Sequence, residues 1–219
     1  MLWPTLSVDN FFQNPDAVIN FANSIKYKKE HGGYPGKRSL PLHIENNDFF
    51  LTSTRKIISL LYPNEINQGY LNWHATQYFQ KVSPKEYNSS FVHQDLEEEF
   101  TSIVYLSDEE DAGTAIFKKI KEPVPDYQTK TKRDAYLDSK KQNKQFKKEL
   151  KQNRDCYKQV FEFTSLKNRL VLFDSSQFHA VNNYGKENKD RLTLITFFKS
   201  IVRTDGQPLK FHVNECQKL

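Results

Sequence analysis

The sequence predicts a mainly β fold, a sandwich or barrel, with flanking helices packed on its outside. Three observations lead there. From Tyr70 onward, short runs rich in β-branched and aromatic residues follow one another between turn signals. Ahead of them lie two stretches with apolar residues at helical spacing. Aromatic residues reach 14% of the chain, so a core can form although hydrophobic residues are only 37%.

Asn14-Pro15-Asp16 reads as a helix start: a capping side chain, a proline at the first helical position and an acid in the first turn. Val18, Phe21, Ala22 and Ile25 then make an amphipathic helix of about three turns. His31 to Gly36 is a turn-rich loop. Phe49 to Leu61 reads as a second helix with Ile57, Ile58, Leu60 and Leu61 on its apolar side, ended by Tyr62-Pro63-Asn64.

Strands are expected over Tyr70–Val82, Phe91–Asp95, Thr101–Leu106, Ala115–Lys118, Val160–Thr164, Arg169–Phe173 and Leu192–Phe198. Residues 118–158 interrupt them and are too long for a plain hairpin loop. This segment holds 14 Lys/Arg against 6 Asp/Glu, a net +8. The whole chain is +5, so the remainder carries −3 and the basicity belongs to one segment. Its latter half, Ala135 to Tyr157, reads as a charged helix or a mobile excursion anchored by Tyr136, Leu137, Phe146 and Leu150. The length suits one domain spanning 1–219, with leading helices over 10–62, a β core over 70–200 and the basic segment as a lid-like insertion.

Two cysteines, Cys156 and Cys216, make no disulfide framework and read as free thiols in a reducing compartment. Residues Met1–Leu6 lack the basic and apolar regions of a signal peptide, and no run approaches the ~20 apolar residues of a membrane span. The expectation is a soluble cytoplasmic protein without a membrane partner.

The chemistry concentrates in His93-Gln94-Asp95, a distant His179, and Arg191. In an extended segment, residues i and i+2 share a face, so His93 and Asp95 can hold one metal while Gln94 points away. The third ligand must come from elsewhere, and His179 follows the buried-strand pattern Leu170–Phe173 and the turn Asp174-Ser175-Ser176. Two imidazoles and one carboxylate are the protein ligands of an open, facial iron(II) site. Strand alternation puts Arg191 and Thr193 on one face, where the planar guanidinium fork suits a carboxylate. Taken singly, each of these residues has a commonplace reading as a surface pair, a turn histidine or a strand-end charge; order, spacing and strand context together are more specific.

Several motifs occur here in the order found in iron(II)/2-oxoglutarate-dependent dioxygenases: His93-Gln94-Asp95, Thr101–Leu106, Ala112–Phe117, Arg169–Phe173, His179-Ala180-Val181 and Arg191-Leu192-Thr193. The chain resembles that superfamily, most closely its prolyl-hydroxylase-like branch, over about residues 70–200. The resemblance implies a double-stranded β-helix (jelly-roll) core. It further implies Fe(2+) on His93, Asp95 and His179, with the distal carboxylate of 2-oxoglutarate on Arg191 and Tyr105. Tyr78 and Thr193 are additional cosubstrate positions. Three departures stand out: Ala112-Gly113 in place of a Gly-Gly pair, a long polar loop between Tyr78 and His93, and the large insertion after Phe117.

By that resemblance the reaction consumes 2-oxoglutarate and O2, releases succinate and CO2, and hydroxylates a substrate, with ascorbate in a supporting role. The basic insertion could attract an acidic partner. It has few aromatics for base stacking, which disfavours nucleic acid; a large lid is more than a small metabolite needs. The reading leans to a protein or peptide side chain, proline among the candidates. A small-molecule or nucleic-acid oxygenase of the same superfamily, or a non-catalytic metal-binding jelly roll, are the alternatives.

Overall fold

The computed structural model describes residues 4–30, 33–107, 111–122, 129–186, 189–206 and 209. In chain order the elements are β1 (Leu6–Val8), α1 (Pro15–Ser24), β2 (Lys37–Arg38), α2 (Leu42–Glu45), α3 (Asn47–Ser59), α4 (Pro63–Asn67), β3 (Leu71–Val82), β4 (Phe100–Tyr105), β5 (Thr114–Lys119), α5 (Lys130–Leu137), α6 (Lys144–Arg154), β6 (Tyr157–Phe163), β7 (Leu170–Asp174), β8 (Phe178–Ala180) and β9 (Arg191–Arg203). The fold is mainly β with flanking helices, as expected.

The strands form a six-stranded sheet, ordered β1-β7-β4-β9-β3-β2, and a three-stranded sheet, ordered β6-β5-β8. Every strand pairing among the described residues is antiparallel. Side-chain alternation divides the large sheet between two cores. Phe79, Phe100, Leu194 and Phe198 pack with Val18 and Ala22 of α1 and Ile57 and Ile58 of α3. Ile103, Tyr105, Val171, Phe173 and Ile195 face the other way and meet Ile116 of the small sheet. The helices therefore back one sheet, leaving its opposite face free to build a site with the other.

Local sequence explains the helix starts. Asn14 Oδ1 accepts the Ala17 N–H at 3.0 Å, with Pro15 at the first helical position. Asn46 does the same for α3 through the Phe49 N–H, so this helix begins before the expected Phe49. Pro63 ends that helical run but opens α4, because a proline that cannot continue a helix is well suited to begin one. The residues Phe91–Asp95 are not a strand: His93 alone makes an isolated bridge, to His179. The short β1, β2 and α2 escaped prediction, since two to four residues carry no readable periodicity.

The described residues of the basic segment include two α-helices. Asn143 caps α6 by accepting the Phe146 N–H at 3.0 Å, and Thr129 caps α5. Ala135, Tyr136 and Phe146 sink into a satellite core with Val82, Tyr87, Phe91 and Tyr184. Lys144, Lys147, Lys148 and Lys151 stay exposed on the outer side of α6. Residues 123–128 of the segment, His31 and Gly32 of the turn-rich loop, and Cys216 lie outside the described residues. Cys156 is a buried free thiol. Among the described residues no helix is long and apolar enough to cross a membrane.

Candidate metal centre and its cavity

The two distant histidines meet through their backbones before their side chains. His93 N–H donates to His179 O at 3.1 Å, and His179 N–H returns the bond to His93 O at 2.9 Å. His179 is the middle residue of β8, paired with Ile116 of β5, so the small sheet delivers both histidines. Asp95 N–H donates to Ser175 O at 2.9 Å, which ties the carboxylate to the turn between β7 and β8. Asp174 holds that turn by accepting from the Ser176 N–H at 2.9 Å.

Both imidazoles are oriented by the same device. His93 Nδ1 lies 3.0 Å from the Phe91 carbonyl and His179 Nδ1 lies 2.9 Å from the Gln177 carbonyl. A carbonyl only accepts, so each Nδ1 carries the proton and each Nε2 keeps its lone pair for a metal. Those Nε2 atoms point at one carboxylate: Asp95 Oδ2 is 3.3 Å from His179 and Oδ1 is 3.7 Å from His93. The potential ligand atoms of His93, Asp95 and His179 all fall within 4.8 Å of one another.

Electrostatics keeps His93 and Asp95 in binding form. The His93 side chain is 43% accessible and lines the cavity. Burial, with His179 alongside, pulls its pKa down to about 4, so it is neutral near pH 7. Burial alone would raise the Asp95 carboxyl; the two imidazoles and Arg38 outweigh it and hold the group well below the usual carboxylate range.

The cavity has a volume of about 400 Å³ and includes Tyr78, His93, Asp95, His179, Tyr184 and Arg191 in its wall. Arg191, the first residue of β9, is 3% exposed. Its Nε donates to the Ala112 carbonyl at 2.6 Å, and its guanidinium carbon lies 5.3 Å and 5.8 Å from the ring centroids of Tyr105 and Tyr184. Its Nη2 is buried without a hydrogen-bond partner, as is Thr193 Oγ1 two residues along the same strand face. Buried polar groups are nearly always satisfied, so two orphans on one face, one of them cationic, leave hydrogen-bonding capacity that suits an anionic acceptor.

The remaining expected positions divide. Tyr78 is on the cavity wall. Tyr105 is 1% exposed and donates its hydroxyl to Thr114 Oγ1 at 2.9 Å, so Thr114 rather than Tyr105 forms the wall at that end. Gln94 was expected to point away from the site; its amide donates to the Ser176 carbonyl while the residue remains at the cavity wall. The Ala112-Gly113 departure has a steric basis. A Cβ on Gly113 would sit 1.7 Å from Phe163 O, whereas residue 112 contributes through its carbonyl, which alanine supplies equally well.

Sequence reasoning missed Arg38, Lys132, Tyr136 and Tyr184, which all reach the wall. Tyr136 and Lys132 come from α5, so the basic insertion forms one side of the cavity. The apolar anchors Tyr136 and Phe146 were the available signal for this docking. Arg38 had none, since it lies in a two-residue strand beside a glycine turn. That turn requires Gly36, with φ +80° and a hypothetical Cβ 2.2 Å from Lys81 O.

Comparison with known proteins adds a family and a fold. No curated protein matches the chain in sequence. Among solved structures, a prolyl hydroxylase from Trichoplax adhaerens, in complex with a hypoxia inducible factor peptide fragment, is similar with TM-score 0.52 and 12% identity; the match covers 89% of this chain and 82% of that one. A 2OG-Fe(II) oxygenase family oxidoreductase from Burkholderia pseudomallei matches with TM-score 0.51 and 10% identity, covering 89% and 83%. HygX from Streptomyces hygroscopicus, with nickel and 2-oxoglutarate bound, matches with TM-score 0.51 and 12% identity, covering 94% and 91%. The expected fold resemblance is therefore present in three dimensions. Residues 3–198 match the family described as "Family of unknown function (DUF6445)", so the chain belongs to DUF6445 and shares its fold with the 2-oxoglutarate/iron(II) oxygenases.

Proposed function

We propose that this protein is an iron(II)- and 2-oxoglutarate-dependent oxygenase that hydroxylates a protein or peptide side chain. One observation carries the reading: a convergent His93-Asp95-His179 set shares a cavity with the buried, partly unpartnered guanidinium of Arg191. His93, Asp95 and His179 hold the metal. Arg191 takes the distal carboxylate of 2-oxoglutarate, with Thr193 beside it, Tyr105 supporting the guanidinium from below and Tyr78 on the wall. The two sheets are read as a double-stranded β-helix core within one domain, and the protein as cytoplasmic.

The donor set fits iron(II), with two neutral nitrogens and a carboxylate and open positions for a chelating 2-oxo acid and O2. When bound, the metal supplies the oxidation of substrate coupled to decarboxylation of 2-oxoglutarate to succinate and CO2. The chain's own residues supply the rest. The Phe91 and Gln177 carbonyls fix the ring tautomers. Arg191 orients the cosubstrate by a charge-assisted contact that a buried site strengthens. Tyr136 and Lys132 of α5 narrow access from the side of the basic insertion.

Succinate release with iron(II), 2-oxoglutarate and ascorbate, together with oxygen uptake over a panel of peptides, amino acids and oligonucleotides, tests this. Substrate-stimulated turnover by a peptide supports the reading. Metal binding with no succinate from any member of the panel would replace it with a non-catalytic metal-binding module.

A further inference from the structure

The cavity contains a second arginine, which acts on Asp95 through its charge but belongs to neither the proposed ligand set nor the proposed cosubstrate anchor. Arg38 lies on β2, the edge strand of the large sheet, directly opposite Gln80 of β3, which in turn pairs with Thr193 of β9. Two strand spacings of ~4.8 Å therefore separate Arg38 from Thr193, so Arg38 and Arg191 are distinct positions on the order of 10 Å apart along the same sheet face.

The guanidinium of Arg38 is held on several sides. Its carbon stands 3.7 Å from the Tyr34 ring centroid, 5.4 Å from Tyr78 and 5.3 Å from Phe197. Its Nε donates to Gln80 Oε1 at 3.2 Å, and Gln80 Nε2 donates to the Pro35 carbonyl at 2.8 Å, which fixes the neighbouring turn. The backbone is pinned by two hydrogen bonds with Lys28, at 2.8 and 3.0 Å. A flexible surface arginine needs none of this. The arrangement pre-orients a planar fork, which lowers the entropy lost when it grips a ligand.

What the fork lacks is an anion. The Arg38 guanidinium forms no ion pair among the described residues, and Gln80 is the one hydrogen-bond partner of its side chain there. Two acids share the cavity. Asp95 belongs to the proposed metal set, and Glu98 makes no ion pair with Arg38 among the described residues. Burial works against the Arg38 charge, so an incoming carboxylate would relieve a cost that the protein carries without one.

We propose that Arg38, set between Tyr34, Tyr78 and Phe197, is a substrate-carboxylate subsite, so that the molecule presented to the metal is an acid. This deepens the oxygenase reading and rests on it for the word substrate. The carboxylate can come from a free acid or from an acidic residue within a peptide.

Two matched pairs separate these sources: benzoate against benzamide, and acetyl-glutamate amide against acetyl-glutamine amide. Each is titrated into the full chain loaded with Mn(II) and saturating 2-oxoglutarate, and Mn(II)-induced relaxation of the probe protons reports both binding and closeness to the metal. In at least one pair the acid is expected to bind about tenfold or more tightly than its amide, without displacing 2-oxoglutarate. Arg38→Gln should bring that acid down to the level of its amide while leaving 2-oxoglutarate affinity unchanged. Acids that bind no better than their amides in both pairs overturn the subsite, and this comparison needs no variant. An acid preference that survives Arg38→Gln overturns it as well. If 2-oxoglutarate does not bind at all, the oxygenase reading fails instead. The pairs are then read on Arg191→Met, where Arg38 is the remaining arginine of the described cavity wall.

Discussion

Asn153 and Val92 exchange two hydrogen bonds across 61 residues: Val92 N–H donates to Asn153 Oδ1 at 2.7 Å, and Asn153 Nδ2 donates to Val92 O at 3.0 Å. A side-chain amide here takes the place of a neighbouring strand. It pairs both backbone groups of the residue just before His93, from the last turn of α6. Arg154 reinforces the dock by donating to the carbonyls of Ser90 and Val181 at 3.1 and 2.8 Å. The basic insertion thus supports the proposed metal site through its buried end, while Lys144, Lys147, Lys148 and Lys151 of α6 face water.

Asn153→Ala leaves a buried N–H and C=O at Val92 without partners. Each orphan costs roughly 1–3 kcal/mol, so the variant should unfold at markedly lower urea. Because His93 follows directly, metal affinity should also drop about 10- to 100-fold, the range seen when groups supporting a ligand are lost. Stability loss with unchanged Co(II) or Mn(II) affinity would show that the clamp serves the fold alone.

His93→Ala, Asp95→Ala and His179→Ala should each abolish tight binding of a divalent metal and, with it, succinate release. Titration of the metal followed by coupled succinate detection reads both. A variant that turned over as well as the parent would remove that residue from the ligand set.

Arg191→Met should weaken 2-oxoglutarate by about 10- to 100-fold, the equivalent of one lost charge-assisted interaction of roughly 1.5–3 kcal/mol. The thermal upshift that 2-oxoglutarate gives the metal-loaded protein should shrink accordingly, since ligand stabilisation follows occupancy of the folded state. An upshift equal to that of the parent sinks the anchor role.

The metal-free protein should lose stability as pH falls from about 6.5 toward 4. In the folded state His93 remains neutral down to about 4, whereas an unfolded histidine protonates near 6.5. Through that window the unfolded chain binds more protons, so acid favours unfolding. Asp95, depressed in the folded state, works in the same direction at lower pH. Urea midpoints at pH 7 and pH 5 measure the effect, and His93→Gln should flatten the difference. A parent protein equally stable at both values would show that the ring is not held neutral by its surroundings.

Local features of the chain were legible because their causes are local. Asn14 and Asn46 cap helices through contacts three residues away, although only Asn14 was recognised. The alternation on β9 places Arg191 and Thr193 together, and β3 is predicted to within one residue. The basic segment was legible as charge and as a charged helix or a mobile excursion; α6 is the helix, but where it docks was not legible. Its docking depends on Tyr136, Phe146 and Asn153 meeting Phe91, Val92 and Tyr184 across many tens of residues.

By itself the sequence determined the mainly β class, the His93-x-Asp95 pair, and the candidacy of His179 and Arg191, because periodicity, capping and spacing act over a few residues. Tertiary structure alone decided that the imidazoles converge on Asp95, that α5 forms part of the cavity wall, and that Arg38 joins it. Those outcomes come from pairing between distant segments, such as His93 with His179 and Arg38 with Gln80, and such pairing leaves no periodic trace in the chain.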